Sequence, residues 1–445
     1  MERIVVKFGG SSLADAGQFH KVKAIVEADP RRQIIVVSAP GKRRPDDEKI
    51  TDLLYRCHKL AAAGGDFSAP LAIIRARFTE IAEALAIDSP VHQALDELRE
   101  KLAAGCGADF AASRGEYCCA LLMAAYLDAE MIDPGESVAI GYDGGVLPET
   151  YQALGKLLAD PAKRYVMAGF YGYDGAGGGS GEKTIKTFSR GGSDISGAIA
   201  ARAAGAVLYE NWTDTSGILM ADPRLVYDPK VINEISFHEV REMAYMGASV
   251  FHDEAILPVR EAGIPIRIKN TNRPRDAGTL ITPKLSDGTL ARTEIAGITG
   301  KQGFSMISVA KTMLHDQAGI VYRLLGVLLR HGISFEHCPS SIDSISVIME
   351  TAQLAGKEEA VAADIRREIQ PDYLVIEHNL ALVAVVGEGM SSTVGIAGKV
   401  FTALAGGGVN IRIINQGASE INIIVGVAAD DYEKAVSAIY LAFAG

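Results

Sequence analysis

The chain has 445 residues, with 44 lysines and arginines against 55 aspartates and glutamates, a formal net charge of -11. That length exceeds one compact core, so two or three domains are expected. The acidic balance excludes nucleic acid as the main partner, since a polyanion needs a basic surface. No apolar run approaches the roughly 20 residues of a membrane-spanning helix, so no membrane partner is expected.

Five cysteines (Cys57, Cys106, Cys118, Cys119, Cys338) lack CxxC spacing, so neither a disulfide framework nor a zinc site reads from them. The opening MERIVVKFGG enters a strand pattern with no charged-then-apolar leader. A reducing, cytoplasmic setting is the expectation.

In chain order, Ile4 to Val6 reads as a buried strand that breaks into Lys7-Phe8-Gly9-Gly10-Ser11-Ser12 and then a helix, with Ser11 or Ser12 as its N-cap. Residues 33–38 (QIIVVS) form a second short strand. A charged segment, 41–49, is read as a solvated loop in preference to a lid. The Ala- and Leu-rich stretch from Thr51 to Leu127 predicts several helices, broken near Gly64-Gly65, Pro90 and Gly105 to Gly107. Strand candidates recur at 165–168, 206–209 and 265–268, with helical patterns between them. This alternation predicts an α/β domain with a mainly parallel sheet sandwiched by helices.

A linker at 283–296 separates that domain from a tail of different style. Gly319-Ile320 opens a helix that ends at Gly332 to Phe335, and a strand starts at Ser344. The plan returns 76 residues later, with Gly395-Ile396, Gly408 to Ile411 and a strand from Glu420. A duplicated βα unit is the expected cause.

Three segments carry chemistry. In Lys7 to Ser12, paired glycines at a strand end let backbone N–H groups approach an anion, with Lys7 adding a full charge. It is not a GxxxxGK[ST] loop. In Ser189 to Asp194 (SRGGSD), a second glycine turn carries Arg190, suited to gripping a carboxylate with two bonds, and Asp194, suited to orienting a lysine or a metal ion. The segment 210–224 (ENWTDTSGILMADPR) follows an apolar strand, which puts its polar cluster where open α/β sheets bind ligands. Trp212, the one tryptophan, serves packing as readily as binding.

KFGGSS, SRGGSD, WTDTSGILMADPR and MGASVFH (246–252) occur in an order that resembles the aspartate kinases, and the resemblance runs the length of the chain. The duplicated tail resembles paired ACT domains. Single motifs are shared with other amino-acid kinases, acting on glutamate, acetylglutamate, carbamate or UMP.

The resemblance implies an amino-acid-kinase-like domain at 1–290, followed by two ACT-like βαββαβ units at 304–375 and 376–445. It implies transfer of the ATP γ-phosphate to the side-chain carboxylate of L-aspartate, with Mg²⁺, as the first step towards lysine, threonine and methionine. Lys7 and Asp194 fall on the catalytic positions. Lys7, Gly9, Gly10, Ser11, Thr213, Asp214, Leu219, Arg224 and Ser249 fall on the ATP site, although many relatives carry lysine where this chain has Ser249. Thr51, Glu116 and Arg190 fall on the amino-acid site.

The implied effector pocket takes in Met313, Gly319, Ile320, Ser334, Phe335, Glu336, Asp343 and Ser344. Its two acids favour lysine among the end-product amino acids. A homo-oligomer, dimer or tetramer, through the ACT-like units is implied as well. The competing classes are a kinase for another amino acid and a degenerate kinase kept as an amino-acid sensor.

Overall fold

The computed structural model describes residues 2–176, 183–189, 192–248, 253–290 and 294–444. The chain forms two compact units and crosses between them more than once. The first comprises Met1–Ile218, Val231–Phe237 and Phe251–Leu285; the second comprises Leu219–Lys230, His238–Val250 and Ser286–Gly445.

The strands of the first unit are β1 (Ile4–Phe8), β2 (Arg32–Val37), β3 (Glu130–Ile132), β4 (Ala139–Ile140), β5 (Tyr165–Ala168), β6 (Tyr171–Asp174), β7 (Ile185–Thr187), β8 (Leu208–Thr213), β9 (Glu234–Ser236), β10 (Ile266–Asn270) and β11 (Thr279–Thr282). Eight of them form one sheet in the order β3-β5-β2-β1-β8-β10-β11-β9, while β4, β6 and β7 form a small one. From β3 to β10 every neighbouring pair is parallel, and only β10–β11 is antiparallel. The central strand β1 has β2 on one side and β8 on the other, so the chain order reverses there.

The helices fall where the sequence breaks predicted. They are α1 (Ala16–Glu27), α2 (Ile50–Ala62), α3 (Ser68–Leu85), α4 (Val91–Ala103) and α5 (Ala108–Leu127). Gly64 (φ 68°) and Gly105 (φ 84°) take the left-handed backbone that ends α2 and α4. After them come α6 (Glu149–Leu157), α7 (Gly192–Ala204), α8 (Phe237–Tyr245) and α9 (Asp253–Glu261). One expectation fails: neither Ser11 nor Ser12 caps α1. Asp15 does, its carboxylate accepting from Gln18 N at 2.9 Å, and residues 10–13 form a separate short turn.

Strand alternation assigns the faces. Ile4, Val6 and Phe8 join Ile35 and Val37 in a core with Phe19, Val22, Leu54 and Phe78 from α1 to α3. Val5, Ile34 and Val36 are equally buried but face the other way, under α7, which packs on β1 and β2. A sheet covered on both faces explains why these strands read as unbroken apolar runs.

The second unit is built on one antiparallel sheet: β12 (Gly297–Ala310), β13 (Ser344–Glu350), β14 (Tyr373–Val386), β15 (Ile413–Asn415) and β16 (Asn422–Ala428), ordered β13-β12-β14-β16-β15. Its longer helices are α10 (Ile320–Arg330), α11 (Glu358–Ile369), α12 (Ile396–Gly406) and α13 (Tyr432–Ala444), and α8 belongs to it from His238 on. The repeat is borne by α10 and α12, each entered through a left-handed glycine (Gly319, φ 74°; Gly395, φ 97°) and left through another (Gly332, φ 63°; Gly408, φ 69°).

The two halves interleave; they are not in tandem. Strand β12 serves both: Phe304 to Ala310 pairs with β13, whereas Gly297 to Gln302 pairs with the part of β14 that also carries β16. The half that closes the chain therefore takes a strand from before residue 304, outside the expected 376–445 span. Two separate cores result, one around α10 and α11 and one around α12 and α13.

Gly197 lies on the face of α7 that meets β8. A Cβ there would stand 2.4 Å from the Tyr209 hydroxyl and 2.6 Å from its ring. Both atoms are buried, so Gly197→Ala should push α7 off the sheet and cost about 1–3 kcal/mol. Urea unfolding of the variant beside the parent protein checks this.

Candidate active site

The site of the first unit lies at the carboxyl ends of its parallel strands, beside β1, where the strand order reverses. Backbone bonds tie the strand ends into one row. Gly9 N donates to Trp212 O (3.0 Å), Ser38 N to Phe8 O (3.2 Å), Gly169 N to Val37 O (2.9 Å) and Thr271 N to Thr213 O (2.9 Å). Ser12 Oγ and Thr271 Oγ1 close the row at 2.7 Å.

Alternation along β1 sends Lys7 to the same face as Val5, towards α7. Lys7 is only 7% exposed. Its Nζ meets Asp194 Oδ1, in the first turn of α7, at 2.5 Å. Asn211, the register partner of Lys7 on β8, donates from Nδ2 to the same oxygen at 3.1 Å. Tyr209, two residues back on that face, donates its hydroxyl to Asp194 O at 3.1 Å. A lysine, an aspartate and an amide from three elements are thus locked together at a helix N-terminus, where the helix dipole favours an anion.

The start of α7 is crowded into place. A Cβ on Gly169 would stand 2.5 Å from the Ser193 side chain. Next to it Phe170 holds φ 79°, a strained value for an aromatic residue, and its N–H donates to Ser196 Oγ at 2.9 Å. The glycine turn is equally tight: Gly41 N donates to Gly10 O at 2.8 Å, and a Cβ on Gly41 would stand 2.6 Å from Gly10 backbone atoms.

Of the residues expected at the amino-acid site, Glu116 is the most informative. It lies on α5, 4% exposed, and its Oε2 has no hydrogen-bond partner among the described residues. Burial pushes its carboxyl up to about 8, opposed by backbone hydrogen bonds at Ala39 and by the charge of Lys7. Its neighbour Gly115 lets α5 pack closely, since a Cβ there would meet Ala39 at 2.9 Å and Ile50 at 3.4 Å. Ile50 precedes Thr51, which is half-buried in the first turn of α2. Glu116 and the Thr51 turn are thereby drawn to one place. Arg190 lies outside the described residues.

The nucleotide set divides. Gly9, Gly10, Ser11, Thr213 and Asp214 lie along the row of strand ends. Asp214 is exposed, accepts from Thr213 Oγ1 at 3.2 Å, and has its carbonyl held by Asn270 Nδ2 at 3.0 Å. Leu219 and Arg224 belong to the second unit. There Arg224 is bound to Asp222 at 2.6 Å, with a side chain 83% exposed. Ser249 lies outside the described residues. Trp212 is packing: it stacks on Phe8 at 6.0 Å, and its Nε1 donates to buried Glu210, itself paired with Arg32 at 2.9 Å.

The expected effector residues fall into two groups. Met313 N donates to Asp343 Oδ1 at 2.8 Å, close to Gly319, Ile320 and Ser344 at the start of α10 and β13. Ser334 and Phe335, past the far end of α10, line an open cavity of about 540 Å³ together with Tyr322, Leu329 and Arg330. Glu336 accepts from the Tyr245 hydroxyl, which that bond and burial push up to about 12.

Sequence reading gave no role to Asn211, Thr271 or Arg77. Asn211 could have been found from alternation, because it is paired with Lys7 in a parallel register. Thr271 and Arg77 carry no local signal.

Residues 2–270 match the family model of the amino acid kinase family, and residues 383–443 match a model of the ACT domain. Aspartokinase 3 of Bacillus subtilis is 38% identical over 99% of this chain and 98% of its own. The crystal structure of Clostridium acetobutylicum aspartate kinase superposes with a TM-score of 0.88 at 45% identity, covering all of both chains. E. coli aspartokinase III, solved with aspartate and ADP in an R-state, superposes at 0.72 with 26% identity, again over all of both chains. The chain belongs to the amino acid kinase family and, within it, to the aspartokinases. It is an ATP-dependent aspartate kinase with a C-terminal ACT domain.

Glu116 gives a stability test. Its folded pKa, about 8, lies above the ordinary 4.5. Between those values the unfolded chain releases a proton that the fold retains, so stability is full below pH 4.5 and falls as pH rises towards 8. Relative to Glu116→Gln, the ligand-free protein should lose roughly 2 kcal/mol or more across that window. Urea unfolding at pH 5 and pH 8, as a difference between the two proteins, reads it.

Proposed function

We propose that Lys7 and Asp194 form the catalytic pair of this aspartate kinase, and that the buried carboxylate of Glu116 receives the α-ammonium of L-aspartate. What supports this most is the Lys7–Asp194 contact at 2.5 Å on the N-terminus of α7, in a unit that also buries Glu116 Oε2 without a partner among the described residues. Lys7 supplies positive charge to the transferring phosphates, while Asp194, itself held by Asn211, keeps its ammonium in one position. The turn at Gly9, Gly10 and Ser11 presents backbone N–H groups to the same phosphates.

An aspartate side chain is already ionised at neutral pH, so no base is needed, and transfer depends on alignment and charge stabilisation. Arg190 takes the substrate α-carboxylate, and Thr51, at the start of α2, its polar neighbourhood. Thr213 and Asp214 complete the nucleotide set of the first unit, and resemblance alone carries nucleotide contacts to Leu219, Arg224 and Ser249. Mg²⁺ binds mainly through phosphates plus one or two carboxylates, which Asp194 in the first turn of α7 or the exposed Asp214 just after β8 would supply. Bound there, it would neutralise phosphate charge.

The product, 4-phospho-L-aspartate, leads towards lysine, threonine and methionine. The second unit is the regulatory part, with lysine as favoured effector and the Met313–Asp343 and Ser334–Glu336 groups as its contacts. One E. coli aspartokinase III structure holds lysine and aspartate in a T-state. The outer face of α10 supports a homo-oligomer through the ACT-like halves: Tyr322 is 82% and Leu329 78% exposed, more apolar surface than a free helix usually shows. A cytoplasmic setting accords with five free cysteines.

The test is ADP release with aspartate, glutamate and acetylglutamate, repeated with lysine, threonine and methionine added. Turnover should be confined to aspartate and fall with lysine; activity only on glutamate would reject the substrate assignment. Lys7→Ala should lower kcat about 100-fold or more.

Arg190→Ala should raise the aspartate KM roughly tenfold or more, and an unchanged KM removes the clamp. Because Glu116 must lose its proton to meet an ammonium, aspartate binding at pH 7 should release a proton. Calorimetry in buffers of different ionisation enthalpy measures that proton, and Glu116→Gln should abolish it.

A further inference from the structure

The charged segment 41–49 and the buried Arg77 of α3 are not used by the chemistry described so far. Arg77 is 4% exposed, an unusual place for a guanidinium. It sits between two parts of the site. Its Nη1 donates to Gly41 O at 2.9 Å and, more weakly, to Ala14 O at 3.5 Å, at the end of the glycine turn. Its Nη2 donates to Asp47 Oδ2 at 2.9 Å.

Asp47 is in turn held by Arg43, through its backbone N–H at 2.9 Å and its Nε at 3.0 Å, and Arg43 reaches Glu80 on α3 at 2.6 Å. The segment is therefore strapped to α3 along its length. Gly41, at its head, is pressed on Gly10: the 2.8 Å bond from Gly41 N to Gly10 O leaves no room for a Cβ.

We infer that Arg77 is a positioning residue for phosphoryl transfer, acting through Gly41 to fix the backbone of Gly10 in the phosphate-binding turn. This rests on the assignment of Lys7 to Gly10 as the phosphate site. Arg77 touches no substrate. Its two donors tie Gly41 and Asp47 to one point, and Gly41 in turn holds Gly10 in place beside Ala39. A displacement of Gly10 by an ångström misaligns the γ-phosphate, which is enough to cost a large factor in rate. A lysine could reach Gly41 O but not Asp47 at the same time, because only the planar fork spans both.

The experiment compares Arg77→Met, Arg77→Lys and Gly41→Ala with the parent enzyme, each by steady-state kinetics for both substrates and by thermal melting. Arg77→Met should lower kcat/KM for ATP about 10- to 100-fold at temperatures where it is fully folded. The aspartate KM should stay within about twofold, and Arg77→Lys should recover part of the loss. Gly41→Ala, which pushes on Gly10 from the same side without touching Arg77, should give the same pattern.

A lowered melting temperature with unchanged kcat/KM for ATP in folded Arg77→Met would show a purely structural role and overturn the inference. If Arg77→Met does not fold, Gly41→Ala decides, and parental ATP kinetics in it also overturn the inference. Lys7→Ala keeps the two readings apart. Loss of turnover there with no ATP effect in the Arg77 and Gly41 variants rejects only the strap, whereas full activity in Lys7→Ala rejects the phosphate site beneath it.

Discussion

A lysine on the central strand of a buried sheet needs an anion within reach, and here that anion is Asp194. An ammonium withdrawn from water costs several kcal/mol unless it is paired and hydrogen-bonded. The first turn of α7 therefore has to arrive over β1 in one position. Gly197 clears Tyr209 for it, Gly169 clears Ser193, and the Tyr209 hydroxyl and Asn211 amide secure the aspartate from below. The same requirement sets the chemistry, since it places a full positive charge, a helix N-terminus and a glycine turn at one crevice.

Glu116 shows the opposite choice. Its carboxyl is buried beside Gly115 with one oxygen unpartnered among the described residues, where backbone bonds and the nearby Lys7 charge only partly offset its desolvation. Such a group destabilises the empty protein and gains when a cation binds. Strain at Phe170 lies in the same unit, against α7. Both lower local stability in the empty protein, which accords with the substrate role proposed for Glu116.

The second unit follows a different logic. Two short helices with glycines at both ends recur at a fixed spacing, because each βα unit needs a left-handed residue to enter and to leave its helix. Strand β12 then runs through both halves, so the antiparallel sheet is continuous and the two cores use opposite ends of one long strand pair, β12 and β14. Segments 219–230 and 238–250 are built into this unit as well. Met220 O accepts from Ile298 N at 2.7 Å, and Glu239 Oε1 accepts from Glu388 N at 2.8 Å.

The sequence by itself determined the α/β character, the helix breaks, the repeat and the glycine turns, since each depends on local backbone rules: period, capping and positive φ. It also marked Lys7, Glu116 and Asp194, although only resemblance raised Glu116 above an ordinary helix residue. Tertiary structure decided the rest. That Lys7 and Asp194 meet, that Asn211 joins them, and that Trp212 packs on Phe8 depend on strand register between segments some 200 residues apart.

That Leu219 and Arg224 fall outside the first unit could not be read along the chain, because it arises from where strands return. Arg77 is the plainest case. Nothing in its helix distinguishes it, and only the closing of segment 41–49 over Gly10 gives its buried charge a reason.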